Sequence, residues 1–168
     1  SGVELVLRQI IIPFWNAYSF FITYARIYDW KPSASYTKPK GEIDQWILSV
    51  LHTLIKDVEA GMDQYDLSKA VEPFVGFIDQ LTNWYIRRSR RRFWEEKPSQ
   101  DRDDAFATLY TVLLELSKIA APYVPFIADA IYQNLRQESM PESVHLTDFP
   151  HYKQEMRHEK LEEGMKAI

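Results

Sequence analysis

The sequence predicts an all-α fold, an antiparallel helical bundle with a short extended segment and a C-terminal tail. Apolar residues recur at three- and four-residue spacing over several long segments, the period of helices that bury one face. Only five glycines occur in 168 residues, and no Asn-Gly or Asp-Gly pair joins alternating apolar runs, so the tight turns of a β-domain are missing. With 46% apolar and 26% charged residues the chain can bury one core, and a wholly disordered chain is excluded.

The first helix is expected from about Val3 to Tyr28, so densely apolar that neighbours should cover most of its circumference, as for a central helix. Residues 29–41 hold Pro32, Ser33, Ser35, Pro39 and Gly41 and read as a surface loop. A second helix follows from Ile43, Trp46, Ile47, Val50, Leu51, Leu54, Ile55 and Val58, and Gly61 should close it. Asp66 is placed to cap a third, from Leu67 to about Glu95, with Phe74, Phe77, Ile78, Leu81, Trp84 and Tyr85 as its stripe. Pro73 should bend its first turns. The fourth begins near Asp101, where carboxylates suit the positive end of the helix dipole, and runs to Ala121 before Pro122. A short fifth starts at Pro125, whose fixed φ suits a first turn, and ends near Arg136. Ser143 to Leu146, between Pro141 and Pro150, reads as extended. Lys153 to Ala167, with mixed charge and widely spaced Met156, Leu161 and Met165, suits a helix that packs on something outside this chain. The expected division is a bundle over residues 3–150 and the start of a C-terminal extension over 151–168.

Several function classes are closed off. The absence of cysteine excludes disulfides, cysteine-ligated zinc, iron–sulfur clusters and thiol nucleophiles. His52, His145, His151 and His158 lack the i,i+4 spacing of a helical metal pair, so no metal site is expected. No nucleophile elbow, Walker loop or dinucleotide fingerprint is present, and no catalytic residue or bound cofactor is expected. The most apolar stretch, Gln9 to Ala25, carries Asn16, Ser19 and Thr23 and reads as a buried helix and not as a membrane span. No basic, then apolar leader opens the chain, and Ser1-Gly2 without a methionine reads as a piece of something longer; a cytoplasmic location is expected.

The net charge of −4 rules out a surface that attracts nucleic acid as a whole, so any such site must be local. One segment offers it: Arg87, Arg88, Arg90, Arg91 and Arg92, five arginines in six residues, flanked by Trp84, Phe93 and Trp94. Six consecutive helical residues cover more than one turn and cannot share one solvated face. Guanidinium groups fork onto phosphates, and aromatic faces stack on unpaired bases, so RNA is one reading. The other is structural: the arginines brace the bundle through Asp101, Asp103, Asp104 or Glu115. Arg88 continues the stripe of Leu81, Trp84 and Tyr85, so it should meet a carboxylate or reach past the bundle's end. On the first helix, Asn16 and Phe20 are four apart on one face, as an asparagine bonded within the core or as an edge-and-face reader of a splayed base.

Taken together, Ile10-Ile-Ile-Pro-Phe-Trp-Asn-Ala-Tyr-Ser-Phe-Phe-Ile-Thr-Tyr24, Asp44-Gln-Trp-Ile-Leu48, Tyr65-Asp-Leu67, Asn83-Trp-Tyr-Ile-Arg-Arg-Ser-Arg-Arg-Arg-Phe-Trp94 and Ala121-Pro-Tyr-Val-Pro-Phe126 closely resemble the anticodon-binding helical domain of isoleucyl-tRNA synthetases. The resemblance covers roughly residues 3–150, and Leu161-Glu-Glu-Gly-Met165 looks like the start of the region that follows. It implies a parent enzyme that activates isoleucine with ATP and Mg, transfers it to its tRNA, and edits valine in an inserted domain. The ATP-site signatures of that class, like His-Ile-Gly-His and Lys-Met-Ser-Lys-Ser, are absent, so this chain should be inactive alone. The implied task is to bind the anticodon stem and loop of isoleucine tRNA beside the parent's catalytic and C-terminal domains, with no membrane involved. In related methionyl enzymes an asparagine on the first bundle helix and a tryptophan after an Asn-x-Tyr-Ile segment contact the anticodon; Asn16 and Trp94 look like the matching positions. The expected RNA-contacting set is Asn16, Phe20, Arg87, Arg88, Arg90, Arg91, Arg92 and Trp94, the arginines on phosphate and the others on loop bases.

Overall fold

The structure is a computed structural model that describes residues 2–33, 38–64 and 67–166. Among the described residues there are six helices. Helix α1 is continuous over 2–27, made of Gly2–Val6, a π-helical stretch Leu7–Ile11, and Ile12–Ile27. Helix α2 is Glu42–Asp63. Helix α3 runs over 67–94 as Leu67–Asp79, a π-helical stretch Gln80–Ile86, and Arg87–Trp94. Helices α4 (Gln100–Ala120), α5 (Pro125–Leu135) and α6 (Glu159–Lys166) follow, with 3₁₀ turns at Val144–Leu146 and Gln154–Met156. The described residues form no strand, as the turn-poor sequence predicts.

The short connections after α2, α3 and α4 favour antiparallel neighbours, whereas 14 residues separate α1 from α2. Helices α1 and α3 run one way, α2 and α4 the other: the end of α1 meets the end of α3 through Tyr24 and Trp94, while Arg92 near the end of α3 meets Asp44 at the start of α2 and Asp101 at the start of α4. The central position belongs to α4, 15 of whose 21 residues are buried. This corrects the expectation for the first helix. Its inner row, Ile10, Phe14, Ala17, Tyr18, Phe21 and Ala25, enters the core, whereas Leu5, Leu7, Ile12, Trp15 and Ile27 are exposed. Helix α1 is long and apolar enough to cross a bilayer, its most apolar window is 28% buried, and its inner row packs on α3 and α4.

Boundaries shift where tertiary contacts outweigh local signals. Gly61 does not close α2, which continues to Asp63 with Gly61 buried inside it. Helix α3 runs through Pro73, and its expected cap Asp66 lies outside the described residues, as does Ser35. Ser99 caps α4: its Oγ accepts the Arg102 backbone N–H at 3.1 Å, satisfying one of the open donors of the first turn. Pro125 occupies the first turn of α5 as expected.

The segment read as extended forms a single 3₁₀ turn, Val144–Leu146, between extended Ser143 and Thr147. The Asp129 carboxylate holds it, accepting the Val144 N–H at 2.9 Å and the Ser143 hydroxyl at 3.1 Å. The Val144 bond is the main reason that Asp129 titrates below the usual carboxylate range.

The tail also departs from expectation, since it packs on the bundle itself. The Ser49 and Thr53 hydroxyls donate to Glu162 Oε1 at 3.1 and 2.8 Å, Arg157 Nη2 donates to Glu162 Oε2 at 3.0 Å, and the His158 N–H donates to Ser49 Oγ at 2.7 Å. A residue at the centre of an apolar-looking helix, Ser49, thereby finds its partners more than a hundred residues away. One further clasp is pH-dependent. The Lys153 N–H donates to His52 Nδ1 at 3.2 Å, which requires a neutral acceptor. Burial first, and the Lys153 charge second, hold the His52 pKa below its ordinary value, with Glu155 acting the other way. Since the unfolded imidazole binds its proton more readily, stability is full above about pH 6.5 and falls as the pH drops below it towards the lowered folded value. Melting curves between pH 8 and 5 should show that fall, and a His52→Gln variant should lose part of it; identical pH profiles would refute the role.

Candidate nucleic-acid interface

The arginine run lies on the last two turns of α3, immediately after the π-helical stretch Gln80–Ile86. In a regular helix the stripe Leu81, Trp84, Tyr85 would continue to Arg88. A π-helical turn takes one residue more than an α-turn, and the stripe slips by one. The buried residues are Leu81, Tyr85, Ile86, Ser89 and Phe93. Arg88 therefore lies in solvent, where its guanidinium lies 4.7 Å from the Trp84 ring centroid, while Arg92, on the border of the shifted stripe, reaches inward to carboxylates of the neighbouring helices.

Arg92 departs from the expected phosphate-binding role. Its side chain is 15% exposed. Nη1 and Nη2 donate to the two oxygens of Asp44 at 2.7 Å each, Nε donates to Asp101 Oδ2 at 3.0 Å, and Nη2 also donates to the Asp101 carbonyl at 3.1 Å. Asp44 is 0% exposed, and its Oδ1 also accepts the Tyr85 hydroxyl at 2.7 Å. Burial alone would lower the Arg92 pKa, but the hydrogen bonds to Asp44 and the charges around it raise it further. Burial, with the Asp44 charge next, pushes the Tyr85 phenol well above its ordinary value. This two-pronged ion pair is the geometry of a brace: it ties α2, α3 and α4 at one end of the bundle. Of the carboxylates the sequence offered as partners, Asp101 serves Arg92, whereas Asp104 accepts from Gln100 and Glu115 from Lys118.

The other four arginines are displayed. Arg87, Arg88, Arg90 and Arg91 are exposed, and among the described residues none of them is paired with a carboxylate. At 100° per residue, Arg90 and Trp94 share one flank of α3, Arg87 and Arg91 point outward, and Arg88 lies about 120° round from Trp94. The four guanidiniums thus fan over about 160° of the helix circumference, at the end opposite the bundle's exposed Leu5 and Leu7.

Trp94 is 48% exposed beside Tyr24, with ring centroids 6.5 Å apart, and its carbonyl accepts the Tyr28 hydroxyl at 3.2 Å. Phe20 is half-buried, edge-on to Phe93 at 5.1 Å, and Phe93 is edge-on to Phe106 at 5.0 Å. Asn16 is exposed, so the core-bonded alternative for it falls away; it lies one turn before Phe20 on the same face of α1. The structure thus brings Phe20 and Trp94 to the seam of α1 and α3, with Asn16 one turn before Phe20 and Arg90 on the flank of Trp94, leaves Arg87, Arg88 and Arg91 on the outer surface of α3, and withdraws Arg92.

Two residues of this end escaped the sequence. Arg102 stacks its guanidinium 4.2 Å over the Tyr28 ring and donates Nη1 to the Glu95 carbonyl at 2.7 Å, closing the connection that follows Trp94. Tyr24 has its ring 5.0 Å from that of Phe20 and 6.5 Å from that of Trp94. The i,i+4 relation of Tyr24 to Phe20 was a signal for the second; the first had none, because its partners are set by the turn at residues 95–99. No group of three or more metal-ligating side chains is found among the described residues.

Residues 44–168 match the anticodon-binding domain of tRNA ligase family, which leaves α1 outside that match. Curated relatives align with the whole chain. Isoleucine–tRNA ligase of Protochlamydia amoebophila is 69% identical over 168 residues, that of Chlamydia muridarum 53% over 168, and that of Treponema denticola 47% over 181. In each case all of this chain is covered, and it spans 16% of the relative's length.

Proposed function

The chain belongs to the anticodon-binding domain family of tRNA ligases, and from that premise we propose that it binds the anticodon stem and loop of isoleucine tRNA as one domain of a longer isoleucine–tRNA ligase. In that reading the ATP- and Mg-dependent chemistry belongs to other domains of the cytoplasmic enzyme, and this bundle contributes to the choice of tRNA. The observation that carries it is the division of labour at one end of the bundle: one arginine neutralised internally, four displayed, and a half-exposed tryptophan among them. Uncompensated guanidiniums on a chain of net charge −4 repel one another and are costly without an anionic partner. Arg87, Arg88, Arg90 and Arg91 hold phosphates, which orient the RNA without reading sequence. Trp94 offers a face to an unpaired base, and Asn16 an amide to a base edge. Phe20 acts mainly from beneath, through Phe93.

A structural reading, in which the bundle only spaces neighbouring domains, is favoured by one observation, the Arg92–Asp44 pair, and that observation concerns one arginine of five. The two readings separate in a salt-titrated binding assay of this chain against anticodon stem-loops of isoleucine tRNA and methionine tRNA. Salt-sensitive preference for the first is expected. Equal binding would leave a sequence-blind electrostatic surface, and no binding would favour the spacer. Trp94→Ala should weaken binding of the isoleucine stem-loop by about 1–3 kcal/mol through loss of one base stack. Unchanged affinity in a folded variant would remove Trp94 from the site.

A further inference from the structure

Tyr24 has no assigned role, and its surroundings separate it from other tyrosines of the chain. The hydroxyls of Tyr28, Tyr85, Tyr110 and Tyr132 are tied to the Trp94 carbonyl, Asp44, the Leu135 carbonyl and the Pro141 carbonyl. The Tyr24 hydroxyl has no hydrogen bond among the described residues and is not among the buried unpartnered atoms, so solvent reaches it. Its ring packs against Phe20 at 5.0 Å and lies 6.5 Å from the Trp94 ring.

The support beneath is rigid. Tyr24 leans on Phe20, Phe20 on Phe93 and Phe93 on Phe106, a chain of ring contacts from α1 through α3 into the central helix α4. The backbone of Trp94 is pinned by Tyr28. Side chains already held in place lose little conformational freedom when a ligand arrives. The planes of Tyr24 and Trp94 are inclined at 43°. Rings so inclined cannot both lie flat against one base. A base stacked flat on Trp94 is inclined to the Tyr24 ring by the same angle, so Tyr24 has its hydroxyl to offer and not a second stacking face.

We propose that Tyr24 and Trp94 together receive one unpaired loop base, Trp94 stacking on its face and the Tyr24 hydroxyl hydrogen-bonding to its edge, which makes Tyr24 a specificity-determining residue. A phenol both donates and accepts, so it can meet either kind of edge group, and a base splayed out of a loop exposes its pairing edge for such contact. Arg90, one turn before Trp94 on the same flank, and Arg91 beside it supply cationic charge for the adjoining phosphates. The inference rests on the anticodon reading above and adds to it which aromatic hydroxyl does the reading.

The test uses the isoleucine-tRNA anticodon stem-loop and a series in which each loop nucleotide in turn is abasic. The unsubstituted chain should show one loop position whose abasic form binds more weakly, and Trp94→Ala should lose sensitivity at that position. Tyr24→Phe, which keeps the ring and its packing, should bind the intact loop about 2- to 12-fold more weakly, the effect of one neutral hydrogen bond. It should bind the hairpin that is abasic at that position as the unsubstituted chain does. Full affinity of Tyr24→Phe for the intact loop overturns the proposal, and so does a loss that persists on the abasic hairpin. Trp94 sensitivity without a Tyr24→Phe effect overturns this inference and leaves the anticodon reading standing. Failure of the unsubstituted chain to bind any hairpin overturns both.

Discussion

Replacing Asp44 with alanine is expected to destabilise the bundle by about 3–5 kcal/mol, the cost of removing one partner of a buried ion pair. Asp44 is fully buried and accepts three hydrogen bonds, two from Arg92 and one from the Tyr85 hydroxyl, which is itself completely buried. Without the carboxylate, Arg92 keeps only Asp101, which is itself mostly exposed, and the buried Tyr85 hydroxyl loses its carboxylate acceptor, with Thr108 remaining beside it. For a chain of this length the loss corresponds to a fall in Tm of roughly 6–20 °C. Thermal unfolding of Asp44→Ala beside Tyr85→Phe measures it. Tyr85→Phe should cost less, because it removes both the hydroxyl and its need for a partner. A fall of under about 2 °C for Asp44→Ala would show that the pair does not brace the bundle.

Substituting the displayed arginines should give the opposite pattern. Each of Arg87, Arg88, Arg90 and Arg91 that contacts a phosphate should flatten the dependence of log K on log salt by about 0.7–0.9 when changed to glutamine, and all four together by about 3. Their side chains are exposed, so these changes should shift Tm little. Arg92→Ala is the internal control. It should lower Tm and leave the salt slope as it was, since its guanidinium is already committed to Asp44 and Asp101. Salt titrations of the stem-loop complex for the single and the fourfold variants decide the matter. A slope unaltered by every displayed arginine would eliminate phosphate contact as their role, and a slope reduced only by Arg92→Ala would invert the assignment.

The same contrast explains why five neighbouring arginines cannot be treated as one patch. The cost of burying a guanidinium is offset only by a carboxylate in ideal geometry, and a single such carboxylate, Asp44, lies within the reach of one position. The remaining four positions keep their water until an anion replaces it. A run that looks uniform in composition is therefore two devices, one that secures the end of α3 and one that presents it.

Much of the helical plan was legible in the residues, because helix period, prolines 122 and 125 and the scarcity of glycine act over a few positions and do not wait for tertiary contacts. The expectation for α1 failed for a related reason. Apolar density reports what a helix is made of and not how many neighbours it meets, so Leu5, Ile12 and Trp15 stand in solvent while α4, with its mixture of Arg102, Asp104, Thr108 and Ser117, takes the centre. Those polar residues are tolerable there because local partners exist: Arg102 Nη1 donates to the Glu95 carbonyl, and Ser117 Oγ to the Leu114 carbonyl. The tail was misread because Glu162 is recognised by Ser49 and Thr53, residues that no short-range pattern connects with it.

What the sequence determined by itself was the set of amphipathic helices, the local concentration of positive charge on a negative chain, and the aromatic residues flanking it. These follow from spacing and composition. Tertiary structure alone decided which guanidinium is neutralised and which are offered outward. The π-helical stretch Gln80–Ile86 moved the buried stripe by one residue, from Arg88 to Ser89 and Phe93, and Asp44, 48 positions before Arg92, captures the one arginine of the run that borders this stripe within its reach. A slip of one residue reverses inside and outside because neighbouring helical positions differ by about 100°. The pairing it produces depends on two helices docking at one angle, information that no local run of residues contains.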